Sequence, residues 1–341
     1  MSIKLNFKKD RVDLSIGAGG RAMNRLVESL ILKAFDNQYL NARQDQAMLP
    51  AIGKPLAFTT DSYVVSPYFF PGGDIGQLAI CGTINDLAVS GATAKYISLG
   101  LILEEGLPLA ELKCIIESMA KTANEAGVMI VTGDTKVVEK GKGDGIFINT
   151  SGIGVIDKAV VNQRKPEKGD KIIINGNIAE HGTAVMSKRR NLSFLTDVQS
   201  DVAWLGDLIG SVADAGISVK TMRDPTRGGI AATLNEWASL YGVSFEIDES
   251  ALPITLQVAS ACELLGLDPL FIANEGKVMM ICEAEIAEQL VQVLRAHPKG
   301  KDACIIGEVV DELKARVSMR TVFGGLRHVD WLSGEQLPRI C

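Results

Sequence analysis

Four aspartates in this chain share one setting, each ending or following an apolar run and flanked by small or hydroxyl residues. They are Asp61 in Phe58-Thr59-Thr60-Asp61-Ser62, Asp86 in Thr83-Ile84-Asn85-Asp86-Leu87, Asp134 in Val131-Thr132-Gly133-Asp134-Thr135-Lys136, and Asp224 in Met222-Arg223-Asp224-Pro225-Thr226-Arg227. Asp45, in Arg43-Gln44-Asp45-Gln46, is a less distinctive fifth. Carboxylates converging from loop ends suit Mg2+, which shares its octahedron with waters and nucleotide phosphates. Taken singly, each is more simply a helix cap or a turn residue. Lys136 and Arg227 stand beside two of them, either as phosphate contacts or as ordinary surface charges. Glu275, in Asn274-Glu275-Gly276-Lys277, separates two apolar runs and reads equally as a turn charge or a catalytic carboxylate. His181-Gly182, ahead of Thr183-Ala184-Val185-Met186, reads as a helix cap before an anion contact.

The last residue, Cys341 in Leu337-Pro338-Arg339-Ile340-Cys341, is a thiol on a tether. Residues 324–336 mix glycine with polar side chains without a period, so they read as a tail; about 17 extended residues span roughly 55 Å. Nothing local activates the thiol: an adjacent carboxylate raises its pKa and Arg339 only partly offsets this. At the other end, Gly17-Ala18-Gly19-Gly20 leads into an amphipathic helix, Arg21 to Phe35. Gly19 and Gly20 could offer free N–H groups to a phosphate. The spacing fits neither dinucleotide nor Walker patterns, and a plain turn is the simpler reading.

The elements that must position these groups alternate. Leu56–Val65, Ile75–Ser90, Lys95–Leu103, Leu109–Ala126, Val128–Val138 and Gly145–Ile156 read as βαβαββ, a sheet covered by helices on one face. The bare face calls for a second copy, hence a homodimer. A charged stretch near 157–170 marks a boundary, and a second α/β set follows. The expected organisation is α/β (α+β): an N-terminal turn and helix at 1–40, an N-terminal domain at 41–157, a C-terminal domain at 168–322 and a flexible tail at 323–341. Over 341 residues the net charge is −6, which argues against a nucleic-acid partner held by a basic surface. The six cysteines show no metal spacing, and no apolar run approaches the ~18 residues of a membrane span. The N-terminus lacks the apolar block of a signal peptide, so a cytoplasmic location is expected.

Together, Thr60-Asp61-Ser62, Phe70-Pro71-Gly72-Gly73, Asn85-Asp86-Leu87-Ala88-Val89-Ser90-Gly91, Thr132-Gly133-Asp134-Thr135-Lys136, Arg223-Asp224-Pro225-Thr226-Arg227-Gly228-Gly229, Asn274-Glu275-Gly276-Lys277 and Pro338-Arg339-Ile340-Cys341 give a resemblance over nearly the whole chain. The sequence resembles the HypE family of hydrogenase maturation proteins, within the ATP-binding superfamily of aminoimidazole ribonucleotide synthetase and selenophosphate synthetase. The resemblance implies ATP-dependent dehydration of an S-carboxamide on Cys341 to an S-cyanate, which supplies the cyanide ligand for the iron of [NiFe]-hydrogenase. It implies a HypF carbamoyltransferase that loads the thiol, a HypC–HypD complex that receives the cyano group, and N-terminal sheets joined into a barrel across a homodimer. By motif position, Asp45, Asp86 and Asp224 resemble metal ligands, Asp61 a nucleotide contact, and Asp134, Lys136, Arg227, Gly19 and Gly20 the phosphate region. Glu275 is the first choice for general base and Lys136 the second. A selenophosphate synthetase would need a reactive cysteine or selenocysteine near the N-terminal glycine loop, and residues 1–80 contain no cysteine. A non-catalytic thiol carrier with a regulatory ATP site is the rival of a different class.

Overall fold

Strand β1 (Leu56–Tyr63) divides its residues between two environments, because successive side chains of a strand point to opposite faces. Thr59 and Tyr63 turn inward, bonding to Asp86 and Thr83, while Phe58 turns outward and is 70% exposed. This division runs through the N-terminal domain of the computed structural model, which describes residues 5–18, 20–44, 46–190, 197–311, 315–332 and 339–341. Gly19 and Asp45 lie outside the described residues.

After a single helical turn at Leu14–Gly17, helix α1 runs through Arg21–Leu26, widens to a π-turn at Val27–Ile31 and resumes at Leu32–Ala34. After β1 come α2 (Ile75–Val89), β2 (Ala92–Glu104), α3 (Leu109–Ala126), β3 (Met129–Val138) and β4 (Ile146–Ile156). The four strands pair in the order β1-β4-β2-β3, with only β2 and β3 parallel. α3 lays one stripe, including Leu112, Ile116, Met119 and Ala123, against the core, and Gly127 ends it in the left-handed conformation (φ +69°) that glycine adopts freely. α2 is buried on nearly every side, which is why it shows no apolar stripe. Both helices cover the same sheet face, as expected.

The C-terminal domain is built from β5 (Lys171–Ile174), α4 (Glu180–Arg189), α5 (Gly206–Asp214), β6 (Thr221–Arg223), α6 (Gly229–Tyr241), β7 (Ser244–Asp248), α7 (Leu256–Leu265), β8 (Met279–Cys282), α8 (Ala284–Arg295), β9 (Cys304–Val310), β10 (Val317–Arg320) and β11 (Leu326–His328). Its seven-stranded sheet runs β11-β10-β7-β9-β5-β8-β6. Ile172 and Ile174 join one apolar cluster and Ile173 the other; Met279 and Met280 divide likewise. A sheet covered on both faces makes its central strands read as unbroken apolar runs.

One boundary differs from the sequence reading. Residues from 323 were expected to form a tail, yet β11 pairs with β10 through Ser318–His328 and Arg320–Leu326, and Val329 is buried. Gly324 (φ +83°) and Gly325 are the turn of a hairpin. A three-residue edge strand is too short to show a period.

Candidate functional site

Two short loops carry the acidic groups of the C-terminal domain, and a buried asparagine ties them together. Asn274 accepts from the Ala179 N–H at 2.7 Å and donates to the carbonyls of Pro225 at 2.9 Å and Ile272 at 3.1 Å. The loop after Asp224 is thus joined to the loop that presents Glu275. Gly229 begins α6 with φ +59°, and a Cβ there would meet the Leu270 and Ile272 carbonyls at 2.6 Å, so only glycine lets the helix start press against that segment. Asn85, one residue before Asp86, does the corresponding work from the N-terminal domain. Its amide donates to the carbonyls of Ala203 (2.9 Å) and Glu275 (3.3 Å) and accepts from the Leu205 N–H at 2.7 Å.

The charges of Asp61, Asp86 and Asp224 all bear on Glu275 at this junction. Burial first, then the Asp86 charge, pushes Asp224 up to about 7. Asp86 is raised by burial and by Asp61, against a 2.7 Å bond from Thr59 that favours its charge. Glu275 is 3% exposed and is pushed well above the usual carboxylate range by burial, then by Asp201, Asp224, Asp61 and Asp86. Its Oε1 is buried with no hydrogen-bond partner, an unusual condition for a carboxylate oxygen.

The backbone of Glu275 is nevertheless held firmly. Asp201 accepts from the N–H groups of Glu275 and Gly276 at 3.1 and 3.2 Å and pairs with Lys277 at 3.0 Å. A Cβ on Gly276 would stand 1.9 Å from the Asp201 carbonyl oxygen, which explains the glycine of Asn274-Glu275-Gly276-Lys277. Burial works against the Lys277 charge, but Asp201 and Glu180 more than offset it and raise its pKa. Nothing in the sequence around Asp201 marks it as special; its role arises only from packing.

Cys341 reaches the same junction. Its carbonyl accepts from the Val64 N–H at 3.1 Å, and the Arg339 carbonyl accepts from Ser66 N–H at 3.2 Å, so the chain end pairs with the segment that continues β1. Ile340 is 3% exposed within the N-terminal core, and Arg339 forms an ion pair with Asp144. The Cys341 thiol is pushed up by burial and by Glu275, Asp61 and Asp224, while Arg227 favours the thiolate. His181, expected as a cap, is not one: it lies in the first turn of α4, bonded to Ser200 and to the Ile340 carbonyl.

Lys136 and Asp134 stand elsewhere. They pair with each other at 2.8 Å, about two thirds exposed, on β3. They border a cavity of about 360 Å³ with Gly17, Asn24, Arg43 and Thr132. A second cavity of about 430 Å³ runs from Lys136 to Ser62, Tyr63 and Val64, the residue that receives Cys341. Gly20 sits exposed at the N-terminus of α1, with open space where a side chain would begin. Among the described residues, no three His, Cys, Asp or Glu side chains are grouped to hold a metal ion by themselves. The half-buried carboxylates of Asp86 and Asp224 are oxygen donors that suit a cation which also takes phosphate oxygens.

A mixed α/β pair of domains with acidic groups and a lysine around their junction defines an AIR synthase related protein. The family of AIR synthase related N-terminal domains matches residues 43–156, and that of the C-terminal domains matches residues 167–320. The chain belongs to the HypE carbamoyl dehydratase family within that group. The carbamoyl dehydratase HypE of Cupriavidus necator is 53% identical over 340 residues, covering 99% of this chain and 97% of its own. A crystal structure of hydrogenase maturation protein HypE in complex with ATP is 46% identical, with a TM-score of 0.92 over 96% of this chain and 99% of its own. A HypE–HypF complex contains a chain 48% identical, with a TM-score of 0.78 over 90% of this chain and 99% of that one.

Proposed function

We propose that the protein uses ATP to dehydrate an S-carboxamide carried on Cys341 to an S-cyanate, the source of the cyanide ligand on the iron of [NiFe]-hydrogenase. One observation carries this reading: the Cys341 thiol is seated within electrostatic reach of Glu275, a buried carboxylate with an unpartnered oxygen. The net change is S–C(=O)NH2 to S–C≡N, with the carboxamide oxygen leaving in phosphate and the nitrogen giving up both protons. Bound ATP and Mg2+ would supply the phosphoryl group that makes that oxygen a leaving group, with Asp86 and Asp224 holding the metal.

Glu275 acts as general base toward the nitrogen. Its raised pKa makes it a stronger base than an ordinary carboxylate, and its bare Oε1 is free to take the proton. Lys136, ion-paired to Asp134, and Arg227 are the cations available to phosphate oxygens. The raised thiol pKa is no obstacle, because loading is done by another protein and this site acts on the cargo. We assign HypF as the loading partner, by likeness to the HypE–HypF complex. A HypC–HypD complex is assigned as acceptor, and a cytoplasmic setting suits the six free thiols. A homodimer closed over the outer sheet face is supported by the exposure there of Leu56, Phe58 and Ile102.

Intact mass spectrometry tests the reading: HypF, carbamoyl phosphate and ATP should add one carbamoyl group and then remove one water. A carbamoylated mass that persists with ATP would favour the non-catalytic carrier.

A further inference from the structure

Helix α4 touches the chain end twice, at its first and last turns, and these contacts have no part in the chemistry above. His181 is fully buried at its start; Nε2 lies 2.9 Å from the Ile340 carbonyl and Nδ1 lies 2.8 Å from Ser200 Oγ. A carbonyl can only accept, so Nε2 carries the proton. Ser200 Oγ already accepts from the Val202 N–H at 3.1 Å, which leaves its own hydroxyl proton to donate to Nδ1. Phe70 of the N-terminal domain stands edge-on to the imidazole, with centroids 5.2 Å apart at 88°, so the ring has no freedom to turn. At the other end, Arg189 donates from Nη2 to the Arg339 carbonyl at 2.7 Å and from Nε to the Ser66 carbonyl at 2.8 Å.

The chain end is therefore clamped between domains. The Val64–Ser66 segment supplies N–H donors from the N-terminal side, and α4 supplies an imidazole and a guanidinium from the C-terminal side. Each of the last three carbonyls is received by one or the other. Arg339 itself has φ +57°, a conformation a non-glycine residue keeps only when its surroundings impose it.

We propose that α4 is a latch that reads the backbone of the docked chain end, with His181 and Arg189 as positioning residues that hold the carbonyls of Ile340 and Arg339 and so present the Cys341 cargo to Glu275. This rests on the dehydration reading for its consequence, but not for the latch itself.

The test uses the full-length protein as parent, His181→Leu and His181→Gln. Gln places an amide N–H near the Nε2 position; Leu has none. Alkylation of Cys341 by iodoacetamide is read by peptide mass spectrometry against Cys114, an exposed thiol in the same molecule. Loss of a buried hydrogen bond should raise the Cys341-to-Cys114 ratio about 10-fold in His181→Leu and slow single-turnover dehydration by about as much. His181→Gln should restore both, and ATP binding should stay at the parent value throughout. Leu behaving as the parent in both measurements, or Gln failing to restore while melting normally, would overturn the latch. If His181→Leu does not fold, Arg189→Met decides in its place, with the same expected direction and the same overturning result. A changed alkylation ratio beside a parent that never loses water would leave the latch standing and remove the proposed chemistry.

Discussion

The N–H of Val64 donates to the carbonyl of Cys341, three residues beyond Asp61 on the same run of chain, so the segment that continues the strand of Asp61 also receives the residue proposed to carry the cargo. Cys341→Ala should therefore leave the nucleotide side intact. No carbamoyl mass should appear with HypF and carbamoyl phosphate, while calorimetry should give an ATP affinity within about 2-fold of the parent, a difference well under 1 kcal/mol. A large loss of ATP affinity would make the docked end a structural part of the nucleotide site.

Glu275→Gln should accept the carbamoyl group normally and stall there, with dehydration slowed about 100-fold or more, the range for losing a general base. A cyanated mass at the parent rate would remove Glu275 from that role.

The same substitution should raise stability in a pH-dependent way. The Glu275 pKa is raised on folding, so between its unfolded value of about 4.3 and the higher folded value the native state binds more protons than the unfolded chain. Its contribution to stability is present below that window and is lost as pH rises through it. At pH 8 the melting temperature of Glu275→Gln should exceed the parent's by about 1–2 °C, which is what about 1 kcal/mol gives at this size, and the gap should close near pH 4. Equal melting curves at both pH values would contradict the burial and the neighbouring acid charges that raise the Glu275 pKa.

Asp201→Ala should be costly because it strands a charge. Lys277, with a side chain 10% exposed, would keep only Glu180 at 3.3 Å, and two backbone N–H groups would lose their acceptor. Breaking a buried pair this way costs about 3–5 kcal/mol, measurable by urea denaturation. A loss below about 1 kcal/mol would mean Lys277 finds another partner.

Phe58→Asp should separate the proposed dimer. A charge on the bare sheet face should weaken self-association by at least about 10-fold, read by sedimentation equilibrium. An unchanged association constant would place the interface elsewhere.

Much of the scaffold is legible in the sequence because its periods are clean. Leu109–Ala126 has one apolar stripe and a terminal glycine, and its bounds come out of the structure unchanged. β6 and β11 escape a sequence reading because three residues hold no period, and the Gly324-Gly325 turn looks like the start of a tail. The acids of the site are legible from their flanking apolar runs. What holds them is not: Asp201 sits 74 residues from Glu275, and His181 sits 159 from the carbonyl it meets. Contacts at such separation are decided by how the domains pack, which no local pattern carries.

In both domains an asparagine stands directly before an acid and does the fastening: Asn85 before Asp86, Asn274 before Glu275. On the proposed chemistry, fold and reactivity fall to different positions of the same dipeptide. A library of all single substitutions would split each pair, with losses at 85 and 274 removing the protein from the cell and losses at 86 and 275 leaving abundant, silent protein.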